Sequence, residues 1–306
     1  MTSVFRLVTV LLVVGAGLLP AQEKKKLTKD EAQKIVDTLH WRTDPVTLDK
    51  DLATIKLAPG YRFLDKNDTN TVMSQIWRNP PTNDWGMIFP NNTGPLNADW
   101  AVVVERFEEE GFVKDEDADK LDADKLLKQI QESQQEANEE RQKQGYPSLE
   151  IIGWAMKPHY DKEAKKLTWA IDLRVAGATE HSVNYYVRIL GRRGYLVLNM
   201  LGGMEALSDI EKNTPDVLAM VNFNEGHRYA DYNPKTDKVA AYGIAGLIAA
   251  GVGIKLAKLG LFALFFKKIG LVLAAGWKLI AAGCVAVSAF FKKIFGKKDT
   301  STSQSP

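Results

Sequence analysis

Three histidines and one aspartate are the side chains of this sequence best suited to catalysis or metal binding. His159 and Asp161 belong to the run Pro-His-Tyr-Asp, His181 begins a strand-like segment, and His227 belongs to Gly-His-Arg-Tyr. If the fold gathered them, they could form a zinc site or an acid–base pair, because imidazole titrates near neutral pH and often binds zinc. Their spacing matches no helical motif such as H-E-x-x-H. The sequence favours a simple turn, in which Asp161 bonds to the backbone that follows it.

Alternating carboxylates at Asp115, Asp117 and Asp119 are similar to the start of a calcium-binding loop. The sixth position of such a loop requires glycine and the twelfth requires glutamate, but Lys120 and Leu126 occupy them here. The EF-hand pattern therefore fails. We interpret the three acids as side chains that meet the positive end of a helix.

Signatures of common enzyme classes are missing from the sequence. It contains no G-x-S-x-G motif, no Walker loop and no Rossmann glycine pattern. Cys284 is the only cysteine and lies in an apolar run near the C-terminus, which excludes a disulfide or a thiol nucleophile in the rest of the chain. The sequence thus assigns no catalytic residue, no cofactor and no metal, and it favours a protein that is not an enzyme.

Four segments alternate apolar and polar residues, and they predict an antiparallel meander in an α+β fold. This meander would have to position the candidate side chains. Alternation with a period of two predicts one buried and one solvated face, and Trp169, Tyr185 and Val187 are assigned to the buried face. The predicted strands cover 149–156, 167–175, 182–189 and 195–201.

Helices and a hairpin are predicted around this meander. The pattern over 115–144 predicts a long helix whose second half projects into water. Thr214 followed by Pro215 predicts the start of a helix over 216–223. The turn dipeptide Pro59-Gly60 predicts a hairpin between 53–57 and 61–64.

Charge is distributed unevenly along the chain, whose net charge is +2. The body, residues 22–238, carries 30 basic and 37 acidic side chains, whereas the C-terminal segment, residues 239–306, carries nine lysines and one aspartate. An acidic body joined to a basic apolar segment favours attachment to anionic lipid and argues against a nucleic-acid partner. Arg188, Arg192 and Arg193 form a small basic corner that could meet an anionic group, although a solvated hairpin edge is the favoured interpretation.

The N-terminus has the pattern of a secretory signal. Arg6 precedes an apolar run over 7–19, and Pro20-Ala21 offers a small residue at a cleavage position. We therefore expect a signal peptide at 1–21, with an uncleaved anchor as the alternative. A tether over 22–40 and an exported α+β domain over 41–238 follow.

The C-terminal segment predicts a helical membrane anchor. We expect a transmembrane helix over 239–266, a second hydrophobic and amphipathic lysine-rich helix over 267–298, and a disordered tail over 299–306. The second helix either spans the bilayer again or lies in the interface. Small residues spaced for close helix packing are Ala241, Ala245, Ala249 and Gly253. Lysines expected at headgroups or within the second helix are Lys255, Lys258 and Lys278.

Several runs of the chain resemble a known bacterial family. They are GFVKDEDADKLDADKLL (111–127), GWAMKPHYDKEAKKLTWAIDL (153–173), VNYYVRILGRRGYLVLNML (183–201) and GHRYADYNPKTDKVAAYGIAGLIA (226–249). Together they are similar to the domain of unknown function 2167, a family described as predicted membrane-anchored proteins. The resemblance implies an exported domain followed by a C-terminal anchor, and it supplies no catalytic residues. Asp44-Pro45 departs from the Gly-Pro expected in relatives.

These observations predict an envelope protein at the bacterial cytoplasmic membrane, with its main domain on the exported or periplasmic side. The expected role is a binding, scaffold or sensor domain without catalysis. The expected partners are the lipid bilayer and a protein, or a second copy held through the anchor helix. The alternative is a hydrolase or metal-dependent enzyme that uses His159 and Asp161 with His181 or His227.

Overall fold

The computed structural model describes residues 27–250, which form two antiparallel sheets flanked by helices. The helices are α1 (Lys29–Val36), α2 (Lys66–Thr71, continued by a wider turn over Val72–Ile76), α3 (Ala123–Lys143), α4 (Leu207–Met220) and α5 (Ile244–Ala250). The strands are β1 (Val46–Leu48), β2 (Ala53–Ile55), β3 (Tyr61–Asp65), β4 (Gly86–Pro90), β5 (Trp100–Glu108), β6 (Leu149–Asp161), β7 (Lys166–Val175), β8 (His181–Leu190), β9 (Tyr195–Gly203) and β10 (Val221–Phe223).

The larger sheet has seven strands in the order β3-β4-β5-β9-β8-β7-β6, and the smaller has three in the order β1-β2-β10. The predicted meander is confirmed as β6 to β9, in which each strand pairs with the next. The α+β class with antiparallel sheets flanked by helices is likewise confirmed. A second meander, β3 to β5, joins the first because β5 pairs with β9.

Both faces of β7, β8 and β9 are largely buried, which differs from the predicted arrangement of one wet and one dry face, whereas β6 has exposed side chains at alternate positions. Trp169, Tyr185 and Val187 are buried as expected. Trp169 pairs with Tyr186, however, while Tyr185 pairs with Ala170. Because paired residues share a face, Trp169 and Tyr185 lie on opposite faces of the sheet.

One face of the large sheet is covered by α4 and by the small sheet. Val217 of α4 and Phe223 of β10 belong to the same core cluster as Val187 and Leu198. The predicted helix start at Thr214 was wrong, because α4 begins at Leu207 and already contains Pro215.

The other face is covered by two groups of helices, α1 and α2 over β3 to β5, and α3 and α5 over β6 to β9. The helix predicted from residue 115 begins at Ala123, with Asp122 as its N-cap. Its second half does not project into water, because Ala137 and Arg141 are buried and Asn138 bonds to β6.

The hairpin predicted around Pro59-Gly60 does not form. Gly60 does occupy a turn, with a positive φ of 95° that favours glycine. The segments on either side, β2 and β3, nevertheless belong to different sheets.

The C-terminal part of the described chain packs onto the domain. Val239 is extended and bridged to Phe112, so the helix predicted from residue 239 begins instead at Ile244. Ile244, Leu247 and Ile248 are fully buried against α3 and the sheet. No helix within residues 27–250 combines the length and the apolar composition needed to cross a bilayer. The signal peptide predicted over 1–21, the rest of the anchor helix and everything beyond it lie outside the described residues.

Candidate functional site

The candidate histidines are not gathered into one site. His159 on β6 pairs with Thr168, and His181 on β8 pairs with Arg174, so they lie near opposite ends of β7. Six residues of strand separate these positions, which corresponds to about 20 Å. His227 is held near the His159 end, where its carbonyl oxygen accepts the backbone N–H of Arg192 at 2.8 Å.

Asp161 and His181 each have a local structural role. The Asp161 carboxylate accepts the backbone N–H groups of Glu163 (2.9 Å) and Ala164 (2.8 Å), and these bonds lower its pKa. This is the turn that the sequence favoured. His181 Nδ1 lies 2.9 Å from the carboxylate of Asp172. In residues 27–250, no three His, Cys, Asp or Glu side chains are arranged to hold a metal ion.

Asp115 is the centre of a hydrogen-bonded cluster that ties three segments together. Its carboxylate accepts the Tyr160 hydroxyl (2.8 Å) and the Tyr229 hydroxyl (3.3 Å), and it pairs with Lys165 Nζ at 2.9 Å. Partial burial acts to raise the pKa of Asp115, but the bonds from Lys165 and Tyr160 outweigh it and lower the value. Burial and the bond to Asp115 raise the pKa of Tyr160. The tyrosines therefore act as hydrogen-bond donors that fix the loop.

Asp117 caps α5, the last helix that the structure describes. Its carboxylate accepts the backbone N–H groups of Ile244 (2.9 Å) and Ala245 (3.2 Å). A Cβ at Gly243 would crowd the Asp117 carboxylate, so a larger residue there would displace the cap. Of the three acids predicted to meet a helix end, Asp117 does so, but at α5 and not at the helix that follows in sequence; Asp119 pairs instead with Lys162.

The small-residue stripe predicted for the anchor is only partly described. Ala241 is exposed and lies before the helix. Ala245 is in the capped first turn, and Ala249 packs against the core cluster under α5. The remaining predicted anchor residues, Gly253, Lys255, Lys258 and Lys278, lie outside the described residues.

A surface cleft of about 690 Å³ lies where the β8–β9 turn meets the segment 226–238. Arg192 closes one side of it, with Nε 2.7 Å and Nη2 2.9 Å from the two carboxylate oxygens of Asp237. This two-fold contact lowers the pKa of Asp237. Arg193, next in the turn, also lines the cleft. Two of the three arginines of the predicted basic corner, Arg192 and Arg193, therefore lie together at this cleft.

The third arginine of the predicted corner, Arg188, is instead buried within the sheet. Its guanidinium lies 5.1 Å from the centre of the Trp169 ring, on the face that also carries Tyr186. Glu105 on β5 is buried near it, and burial raises the pKa of Glu105 although the charge of Arg188 opposes this. Sequence alternation missed this pair, because it placed the polar residues of β8 on a wet face.

These features define an α+β protein built on a seven-stranded antiparallel sheet, with a surface cleft and a capped helix at the end of the described residues. The sequence matches the family described as "Protein of unknown function (DUF2167)" over residues 40–283. The chain belongs to this family.

Two solved structures are similar to the chain at a low level. Cyanobacterial PsbP (CyanoP) from Synechocystis sp. PCC 6803 has 10% identity and a TM-score of 0.35, covering 60% of this chain and 92% of that one. The Ran-binding protein Mog1p of Saccharomyces cerevisiae has 10% identity and a TM-score of 0.32, covering 60% of this chain and 96% of that one. No curated protein matches the sequence. Similarity at this level assigns no ligand and no activity.

Proposed function

We propose that the chain is an exported binding or scaffold domain of the bacterial envelope, held at the cytoplasmic membrane by its C-terminal segment. The junction at α5 carries this proposal. Asp117 fixes the first turn of the helix, and Ile244, Leu247 and Ile248 are fully buried. The sequence then continues directly into the lysine-rich apolar run of the C-terminal segment.

The docking of α5 against the core supports a C-terminal segment that follows the folded domain without a loose linker. A loose linker would be polar and rich in glycine or serine, and it would bury no apolar side chains. Here the last described helix is part of the core, and the lysine-rich apolar run follows it in the sequence.

The charge distribution supports the same proposal. The body has seven more acidic than basic side chains (37 against 30), whereas the C-terminal segment has an excess of eight positive charges (nine lysines, one aspartate). A basic apolar segment is attracted to anionic headgroups by about 1 kcal/mol per lysine near the surface. The acidic body is repelled by the same surface, which favours its projection into solvent.

Binding rather than catalysis is supported by the roles of the candidate side chains. Asp161 begins a turn, Asp115 holds two tyrosines, and His181 pairs with Asp172. An acid–base site requires such groups to converge on a shared cavity within hydrogen-bond reach of a substrate. The cleft near Arg193 is a feature of the described surface that could hold a small ligand.

Cysteine labelling of the full chain tests the topology. In a Cys284→Ala background, Lys235→Cys places a thiol on the exposed loop of the domain, and Lys293→Cys places one in the C-terminal segment. We expect an impermeant maleimide to label position 235 in intact spheroplasts, and position 293 only after permeabilisation.

Other labelling outcomes separate the alternatives. Labelling of both positions in intact spheroplasts would establish a second membrane span and leave the anchor intact. Protection of both would contradict an exported domain, and recovery of the protein in the soluble fraction would contradict the anchor itself.

A further inference from the structure

We propose that the cleft lined by Arg193, Lys238 and His227 is a binding site for a small anion of the phosphate class, either free or as a lipid headgroup. The inference rests on the proposed function, since it gives the binding domain a ligand class. The cleft and the α5 junction are different parts of the molecule, so an experiment can contradict one proposal without contradicting the other.

The walls of the cleft are held by backbone hydrogen bonds between three segments. Gly111 N–H bonds to the Arg193 carbonyl at 2.9 Å, Phe112 N–H bonds to the Lys238 carbonyl at 2.8 Å, and Arg192 N–H bonds to the His227 carbonyl at 2.8 Å. Binding sites for small molecules are usually formed before the ligand arrives, because ordering a loop on binding lowers affinity. The cleft meets this condition.

Two glycines allow the segments to approach this closely. A Cβ at Gly111 would lie 2.8 Å from the Lys238 carbonyl oxygen, and its φ of 101° is unfavourable for other residues. A Cβ at Gly191 would lie 2.5 Å from the Phe223 ring and 2.9 Å from the His227 carbonyl oxygen. The glycines therefore let these backbone segments pack closely together, and the cleft lies beside the place where they meet.

The charges available in the cleft favour an anion. Arg192 is already neutralised by Asp237, whose side chain is only 5% exposed. Arg193 is 47% exposed, and its contact with Glu109 at 3.5 Å is between two exposed side chains, so it is worth little and can exchange. Lys238 is exposed and lines the same cleft. Two cationic side chains, Arg193 and Lys238, can thus contact a ligand, and Glu109 is the one exposed carboxylate in the lining.

The chemistry of these groups suits phosphate. A guanidinium presents a planar fork of N–H donors that matches phosphate oxygens, and a lysine adds a mobile point charge. Thr236 and His227 supply further polar groups at the wall. A volume of about 690 Å³ suits a small ligand. A long polyanion is disfavoured because the body carries a net excess of seven acidic side chains.

Phosphate titration of the full chain, purified in phosphate-free detergent micelles, tests the proposal. We expect inorganic phosphate to bind with a dissociation constant that calorimetry can measure. Arg193→Gln and Lys238→Gln should each weaken binding about tenfold, because each removes a charge-assisted contact worth roughly 1.4 kcal/mol. Lys235→Gln is the matched control, since it removes the same charge from an exposed neighbour outside the lining.

A second arm identifies the source of the phosphate group. The full chain is reconstituted in vesicles of phosphatidylcholine with or without phosphatidylglycerol, and phosphate titrations are repeated. If the site holds a headgroup, phosphatidylglycerol should compete with inorganic phosphate in the wild type and not in Arg193→Gln. If it holds a free anion, the dissociation constant should be the same in both vesicles.

Three results would overturn the proposal. They are no phosphate binding in either system, equal weakening by Lys235→Gln and Arg193→Gln, and unchanged binding in the Arg193→Gln, Lys238→Gln double variant. Because both side chains are exposed, circular dichroism of the variants should match the wild type. Failure here would leave the cysteine-labelling result for the membrane anchor unaffected.

Discussion

At the scale of single residues, the unusual chemistry of this domain is a group of buried carboxyls beside the bulge in β5. Glu105 is buried there, and Asp84, in the loop before β4, accepts a hydrogen bond from the Thr82 hydroxyl. Burial, followed by the negative charge of Glu105, raises the pKa of Asp84 from 3.8 to about 7. The folded state is therefore most stable when one of these two carboxyls, Asp84 or Glu105, keeps its proton.

Stability should consequently fall as pH rises. Asp84 binds its proton more tightly in the folded chain than in the unfolded one, so between about pH 4 and 7 the folded state holds more protons. The free energy of unfolding should decrease over this range and level off above pH 7. Asp84→Asn should flatten the slope and be more stable than the wild type at pH 8, by at most about 4 kcal/mol.

Urea unfolding of the full chain in micelles at pH 5, 6, 7 and 8 measures this slope. Asp99→Asn, at an exposed position, is the control and should follow the wild type. An Asp84→Asn variant with the slope of the wild type would show that the carboxyl is ionised throughout.

A second prediction at this scale concerns the cap of α5. Asp117→Ala should cost about 1 kcal/mol of stability, because two backbone N–H groups lose their acceptor. Asp117→Asn keeps an acceptor oxygen and should lose much less. Amide hydrogen exchange at Ile244 and Ala245 measures the effect at the helix itself. Equal protection in wild type and Asp117→Ala would show that packing alone holds the junction.

At the scale of elements, α3 shields the edge strand of the large sheet. The Asn138 side chain accepts the Leu149 backbone N–H and donates to its carbonyl, both at 2.8 Å, as a neighbouring strand would. Gln131 donates to the Ile151 carbonyl at 3.1 Å. An unpaired edge strand invites pairing with other chains, so these amides protect β6 while α3 buries its apolar side.

Replacing the Asn138 side chain should therefore lower the stability of the domain at the β6 edge. Asn138→Ala leaves two partly buried backbone groups without a protein partner and should cost roughly 1–3 kcal/mol. Glu139→Ala, one residue further along the exposed side of α3, should change stability by less than about 0.5 kcal/mol. Urea midpoints and light scattering of the two variants report the stability and any self-association. Identical midpoints would show that water replaces the amide fully.

The sequence predicted the strands of the second meander well and their surroundings poorly. Alternation with a period of two located β6 to β9, because side chains on opposite faces must alternate whatever covers them. It could not reveal that helices cover the second face, so Tyr186 and Arg188 were assigned to solvent although both are buried. Pro215 misled for a similar reason, since it resembles a first-turn residue but lies within α4.

The candidate site was predictable only in part. The run Gly-Arg-Arg-Gly marked a basic turn, but the partner segment 226–238 follows more than 30 residues later and only the fold brings it alongside. Asp237 is an ordinary loop acid in the sequence. Its pairing with Arg192, which shapes the cleft, has no local signal.

At the scale of the whole molecule, the folded domain extends further toward the C-terminus than its composition suggests. A domain ending at residue 238 would lack Ile244, Leu247 and Ile248, which are fully buried. Each such side chain contributes about 1.5–3 kcal/mol when buried. The domain therefore ends within α5 or beyond it.

Two fragments test this boundary. Residues 22–250 should give a soluble fragment that unfolds cooperatively, whereas residues 22–238 should be less stable by several kcal/mol or aggregate, because Trp169 and its neighbours lose their cover. Circular dichroism and urea unfolding compare the two. Equal stability would show that α5 is dispensable and that the body ends where its acidic composition ends.

The pairing of β5 with β9 also dictates the order in which the chain can fold. Trp100 pairs with Gly202, which is 102 positions later, whereas every other pair of neighbours in the large sheet is consecutive in the chain. The first meander therefore lies far ahead of β9 in the chain, and the Ala-Val-Val-Val edge of β5 has no partner strand until β9 is available. Pairing between neighbouring strands is faster than pairing between strands so far apart in the chain, so the last step in forming the large sheet should be the joining of β5 to β9. Until then the apolar edge of β5 is open to other chains, and this is the edge that a chaperone would have to cover.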